Sequence, residues 1–226
     1  VLWLLAATST LAAQSGAVAT VHPLATKAAT DAFNEGGNAV DAAVAAALTL
    51  GVVDGFNSGL GGGCFMVIRK PNGEIHAIDG RETAPAKATE DMFIRGGKAD
   101  TRLSQGGALA SAVPGALAAY DLAIRQHGRL TLARHLNATA QVAENGFELS
   151  KTYADRLKSA SVDLAKFPAS RAIFLDADHV PLEAGDRLIQ SDLARSCRAI
   201  ADEGKGWFYD GPFARETASW MQSNGG

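Results

Sequence analysis

Arg81 is a side chain whose type and place could grip an anion. It stands in Asp79-Gly80-Arg81-Glu82-Thr83-Ala84-Pro85, where a strand exits into a loop stiffened by proline, and strand ends of this kind commonly carry sites. A guanidinium presents a fixed fork of donors that matches a carboxylate bidentately, so Arg81 suits the anchoring of a small anionic substrate. The competing reading is a structural ion pair with Asp79 or Glu82. A second feature is Asn57-Ser58-Gly59-Leu60-Gly61-Gly62-Gly63-Cys64-Phe65, with four glycines in five positions ahead of a strand. It lacks the Gly-Lys-Ser/Thr ending of a phosphate loop and enters a strand instead of opening a helix, so it reads as a tight turn beside other backbone or a substrate.

Other reactive side chains lack the company their chemistry needs. Cys64 has no neighbouring Cys/His signature of an activated thiol. Ser111, within Gly107-Ala108-Leu109-Ala110-Ser111-Ala112-Val113-Pro114-Gly115, has no G-x-S-x-G elbow and reads as a small buried residue on a strand-like stretch. The five histidines, His22, His76, His127, His135 and His179, are dispersed, and His127 and His135 lack the i, i+4 spacing of a zinc helix. Asp176 and Asp178 are followed by His179-Val180-Pro181, without the glycine and later glutamate of a calcium loop, which leaves a surface turn. The residues therefore point to no metal site.

The elements that must position Arg81 and the glycine run follow from periodicity and breakers. Ala17 to Val21 reads as a short strand ended by His22-Pro23, and a helix follows from about Leu24 to Asn34, closed by Gly36-Gly37. Asn38 suits the N-cap of a second helix, whose Ala39, Ala42, Ala43, Ala46 and Ala47 offer a nearly bare surface for close packing. Cys64 to Arg69 and Glu74 to Asp79 form a hairpin around Pro71-Asn72-Gly73. Beyond Pro114-Gly115 the pattern turns helical, over Ala116 to Gln126, Leu130 to Glu144, Ser150 to Ser159, Gln190 to Asp202 and Pro212 to Ser223. Strands packed on many helices give a mixed α+β or layered α/β/α architecture.

Composition bounds the rest. The chain has 226 residues, 47% of them apolar, enough for one large domain with a proper core. A formal charge of −3 leaves no broad cationic surface, which argues against general nucleic-acid binding. Two cysteines are too few for a disulfide scaffold. No run reaches the ~18 apolar residues of a membrane span. Val1 to Ala13 reads as the back half of a secretory signal, with Ala12 and Ala13 suited to cleavage before Gln14, and so predicts a periplasmic or secreted protein. The start at Val1 and the stop at Asn224-Gly225-Gly226 suggest a piece of a longer chain.

In order along the chain, Gly-Gly-Asn-Ala-Val-Asp-Ala-Ala-Val-Ala at 36–45, Ser-Gly-Leu-Gly-Gly-Gly at 58–63, the Arg81 motif at 79–85 and Val-Pro-Gly at 113–115 resemble the gamma-glutamyltranspeptidase family. The resemblance runs on through Ala143-Glu144-Asn145-Gly146-Phe147 and Phe208-Tyr209-Asp210-Gly211 to Gly226. The chain departs from the family pattern at Val53-Asp54-Gly55 and at Asn137, both expected in framework turns. The resemblance implies an N-terminal nucleophile hydrolase fold, an αββα four-layer sandwich built from a large and a small subunit cut from one precursor. Residues 14–226 then correspond to the first part of the large subunit, an incomplete sandwich with a largely helical second half.

The resemblance also implies an activity: acyl transfer from γ-glutamyl amides such as glutathione to water or an amine, through a threonine at the new amino terminus of the small subunit. No catalytic residue falls within this chain, and the chain alone is expected to be inactive. Arg81 matches the family arginine that binds the α-carboxylate of the γ-glutamyl group. The partners implied are the small subunit and a small γ-glutamyl substrate, with no nucleic acid, no membrane span and no metal or organic cofactor. Rival readings are a cephalosporin or glutaryl acylase, a poly-γ-glutamate depolymerase, a noncatalytic structural or binding paralogue and, on the glycine run alone, a nucleotide-binding protein.

Overall fold

The computed structural model describes residues 16–226. The proposed signal remnant, 1–13, lies outside them. Ala17 to Val21, expected to be a strand, forms none; Val18 instead leans on the first two helices. A β-prone pentapeptide becomes a strand only when a neighbour accepts its hydrogen bonds, and none lies beside it among the described residues.

Helix α1 spans Pro23–Asn34, with the His22 side chain capping Leu24 and Pro23 at its first turn. Helix α2 spans Ala39–Val53 and opens on a capping box, in which the Asn38 side chain accepts from Val40 and Asp41 while Asp41 accepts from the Asn38 N–H. Ala25 and Ala29 of α1 meet Ala42 and Ala46 of α2 in a seam of buried methyl groups. Side chains this small let the two helix axes approach closely.

Strands β1 (Cys64–Arg69) and β2 (Ile75–Gly80) pair antiparallel, with Cys64 opposite Gly80 and Arg69 opposite Ile75. Gly73 turns the hairpin at φ +88, and Asn72 accepts from the Glu74 N–H. Period two decides which side faces the helices: Met66, Ile68 and Ile78 pack inward, whereas Phe65, Val67 and Ile75 remain 65–76% exposed on the other face.

Two short strands follow, β3 (Ile94–Arg95) and β4 (Lys98–Ala99), then α3 (Thr101–Gln105). Gly107 to Val113, expected to be strand-like, forms a 3-10 turn at Ala108–Ala110 and a single bridge from Val113 to Thr83. Its alanines have little reason to extend, and the one β-branched residue, Val113, is the one that makes the bridge. The helical half comprises α4 (Ala116–His127) and α5 (Leu132–Asn145), then β5 (Phe147–Glu148), α6 (Lys151–Leu164) and α7 (Pro168–Phe174). It ends with β6 (Arg187–Leu188), α8 (Ser191–Glu203), α9 (Lys205–Tyr209) and α10 (Pro212–Ser223). Asn137 lies inside α5, not in a turn, while Asp54 does cap the end of α2.

The core joins α2, α4, α5 and α8 under the hairpin, through Val44, Val52, Leu117, Leu136 and Ile200, each at most 1% exposed. Most of α2 is buried, so its hydrophobicity runs all round the helix and not along one stripe. No described helix is long and apolar enough to cross a membrane.

Candidate functional site

Three of the motifs separated in sequence meet at the Cys64–Gly80 end of the hairpin. The Gly115 and Ala116 N–H groups at the start of α4 both donate to the Gly62 carbonyl at 3.1 Å. A Cβ on Gly115 would stand 2.4 Å from the Gly80 oxygen and 2.6 Å from the Arg81 oxygen, and one on Gly63 would stand 2.8 Å from both the Gly80 oxygen and Glu82 Oε2. Both contacts are closer than any side-chain carbon tolerates, so these two positions admit only glycine without movement of the Arg81 loop. The glycine run is thus a backbone-to-backbone joint, the first of the two uses its sequence allows.

Arg81 emerges from this joint with its backbone held and its side chain uncommitted. Its N–H donates to Asp79 Oδ1 at 2.9 Å, and two residues on, Thr83 exchanges hydrogen bonds of 3.1 and 2.9 Å with Val113. The guanidinium is exposed and has no ion pair or side-chain hydrogen bond among the described residues. The structural alternative, an ion pair with Asp79 or Glu82, is absent there.

Glu82, next in sequence, faces an open cleft of about 610 Å³ together with Leu50, Phe56, Ser58, Cys64 and Tyr120. Sequence reading missed Glu82 as a lining residue; its only signal was adjacency to Arg81. Burial pushes the Cys64 thiol up from its ordinary value, with the Tyr120 hydroxyl hydrogen bond opposing and the Glu82 charge reinforcing the rise. Cys64 is therefore a neutral thiol near pH 7, not an activated nucleophile. Burial also raises Tyr120. Ser111 is half-buried beside the 3-10 turn, with no base hydrogen-bonded to it among the described residues.

The histidines are less scattered than their spacing suggests. His76 of β2 and His127 at the end of α4 bring their rings to 4.9 Å. His135 lies fully buried against Asp41, Nε2 to Oδ1 at 3.4 Å. Among the described residues no group of three His, Cys, Asp or Glu side chains is placed to hold a metal ion. Asp176 forms the surface turn expected of it, Oδ1 accepting from the N–H groups of Asp178 and Val180.

A hairpin backed by helices makes this a mixed α+β fold, and the solved structures that superpose on it are of the N-terminal nucleophile hydrolase type. The Gamma-glutamyltranspeptidase family profile matches residues 25–226, and the chain belongs to that family. The glutathione hydrolase proenzyme of Escherichia coli K12 is 43% identical over 216 residues, which are 95% of this chain and 37% of that protein. An acylase ACY 1 proenzyme from Pseudomonas sp. V22 is 39% identical over 93% of this chain and 39% of its own length. The crystal structure of Helicobacter pylori gamma-glutamyltranspeptidase superposes with a TM-score of 0.90 at 37% identity, over 93% of this chain and 61% of that one. The chain thus spans a little over a third of the curated relatives it matches.

Proposed function

We propose that this chain is the substrate-anchoring part of an enzyme that hydrolyses γ-glutamyl amides such as glutathione and transfers their γ-glutamyl group to amines. The observation that carries the reading is Arg81: its backbone is fixed at both ends of the loop, while its guanidinium is exposed and unpaired among the described residues. In a γ-glutamyl substrate the scissile amide lies at the side-chain carbonyl. Clamping the distant α-carboxylate bidentately sets the γ-carbon against the nucleophile.

The nucleophile belongs to the remainder of the full-length protein, a threonine exposed by cleavage of the precursor. Its hydroxyl oxygen attacks the γ-carbonyl, its α-amino group takes the hydroxyl proton, and the departing amine receives a proton as the ester forms. Water or an acceptor amine then attacks the ester and frees the threonine. The bare outward strip of Phe65, Val67 and Ile75 supports a two-part assembly, since an apolar sheet face of this kind needs a cover. A periplasmic or secreted location, resting on residues 1–13, belongs to the same reading.

The test is the full-length precursor, followed for self-cleavage and for release of the anilide product from a γ-glutamyl anilide. Arg81→Lys keeps the charge and loses the fork, and raises KM with little change in kcat; an unchanged KM removes Arg81 from substrate binding. The 39% identity to an acylase proenzyme favours one alternative, a glutaryl-type acylase. A self-processed protein that ignores the γ-glutamyl anilide and cleaves its glutaryl counterpart decides for that alternative.

A further inference from the structure

Arg81 has an acidic residue two positions before it, and that carboxylate does not pair with the guanidinium. Asp79 stands on the exposed face of β2, opposite Phe65, and spends Oδ1 on the Arg81 backbone N–H at 2.9 Å. This closes a local turn at the point where β2 ends and fixes the direction in which the Arg81 Cα–Cβ bond leaves the chain. From the other side, the carbonyls of Gly80 and Arg81 lie against the bare Cα of Gly115, and the Thr83–Val113 bridge holds the chain two residues on.

We propose that Asp79 is a positioning residue for Arg81, its carboxylate setting the backbone from which the guanidinium reaches the substrate carboxylate, with the bare Cα of Gly115 as the seat on the opposite side. The inference rests on the reading of Arg81 as the carboxylate anchor. Its logic is preorganisation. A substrate that docks on a backbone already fixed has only the arginine side chain to order, whereas a loop free to wander makes each binding event order the backbone as well. A plain ion pair between Asp79 and Arg81 would do the opposite, holding the fork against a neighbour that the substrate has to displace.

The experiment uses the full-length, self-processed protein with a γ-glutamyl anilide. Asp79→Ala is expected to raise KM by roughly 3- to 10-fold, the range of one lost hydrogen bond, with kcat within about twofold and the thermal midpoint nearly unchanged because the bond is exposed and local. Asp79→Asn keeps an acceptor oxygen and restores KM to within about twofold of the parent. In an Arg81→Ala background, Asp79→Ala adds nothing further, since its effect passes through the arginine. Gly115→Ala, which forces the Gly80 and Arg81 carbonyls to move, raises KM by the same route and is likewise silent once Arg81 is gone.

An Asp79→Ala protein with parental KM, an Asp79→Asn protein as impaired as Asp79→Ala, or equal effects with and without Arg81 overturns the proposal. If Asp79→Ala fails to self-process, the Asp79→Asn and Gly115→Ala arms decide: parental KM in Gly115→Ala, or a raised KM in Asp79→Asn, overturns it. Arg81→Ala with an unchanged KM is a different result, which removes the anchor reading itself and this inference with it.

Discussion

Asp41 and Arg81 are both charged residues inside motifs that mark this family, and the fold treats them in opposite ways. Asp41 is completely buried, and every lone pair finds work: it accepts from the N–H groups of Asn38 at 2.8 Å, Arg129 at 2.9 Å and Leu130 at 3.0 Å, and it faces His135 Nε2. Burial alone would raise its pKa, but the backbone donors of Asn38, Leu130 and Arg129 and the His135 bond outweigh it and hold the carboxyl below its ordinary value. Arg81 is held by its backbone and left open at its charge. A charge whose bonds are all internal sets architecture; a charge whose backbone is pinned and whose donors are idle is fitted for a ligand.

The comparison breaks most sharply by exchanging the damage. Asp41→Ala removes the buried acceptor of three backbone N–H groups, one at the α2 N-cap and two that tie α2 to the α4–α5 connection, and is expected to cost about 3–5 kcal/mol of stability, read by chemical denaturation of the full-length protein. Whatever fraction folds should keep its KM. Arg81→Ala should do the reverse, leaving the denaturation midpoint in place and raising KM. If Asp41→Ala alters KM in protein of normal stability, the division between the two residues fails.

Acid should loosen the Asp41 cluster. Burial lowers the pKa of His135 from 6.5, against the pull of Asp41, so the unfolded chain takes up a proton that the folded protein refuses. Stability is therefore full above pH 6.5 and falls as the pH drops below it, joined by His22, which burial also lowers. Asp41, depressed from 3.8, adds a second loss that begins near that pH and grows as the pH falls through its folded value. His135→Gln should shrink the first step to the His22 share and weaken the second, because the imidazole is one of the groups that hold the Asp41 carboxyl down; a denaturation midpoint constant between pH 7 and 5 would contradict this account.

The smallest effect sharpens the same contrast within one motif. Asn38→Ala removes the N-cap acceptor of α2 and the bond from Asn38 Nδ2 to the His127 carbonyl at 2.6 Å. It is expected to cost about 1–2 kcal/mol, well short of Asp41→Ala, because the Asp41 carboxylate keeps its own donors. Equal costs at the two positions would place the hub at the cap and not at the carboxylate.

Local signals carried much of the architecture. Pro71-Asn72-Gly73 specified the hairpin, whereas the face that turns inward was not legible, because Cys64 to Ile68 is apolar throughout. Asn38 was readable as a cap, and Pro212 to Ser223 as a helix with the ends it has. The short helices Pro168–Phe174 and Lys205–Tyr209 were not readable, because five to seven residues are too few to show a helical period. Arg81 stood out by residue type at a strand exit, whereas Glu82 lines the cleft only because β2 ends where it does.

By itself the sequence determined the hairpin, the alanine-lined pair of helices, the caps and the family, each of which depends on residues within a turn or two of one another or on motifs kept in order. Tertiary structure alone decided that Gly62, Gly80 and Gly115 share one joint, that Asp41 reaches donors 88 and 89 residues away, and that the Arg81 guanidinium, among the described residues, stays unpaired beside two acids. The reason is physical: local propensity acts over a helical turn, whereas close backbone approach and the satisfaction of a buried charge depend on chain segments that only folding brings together.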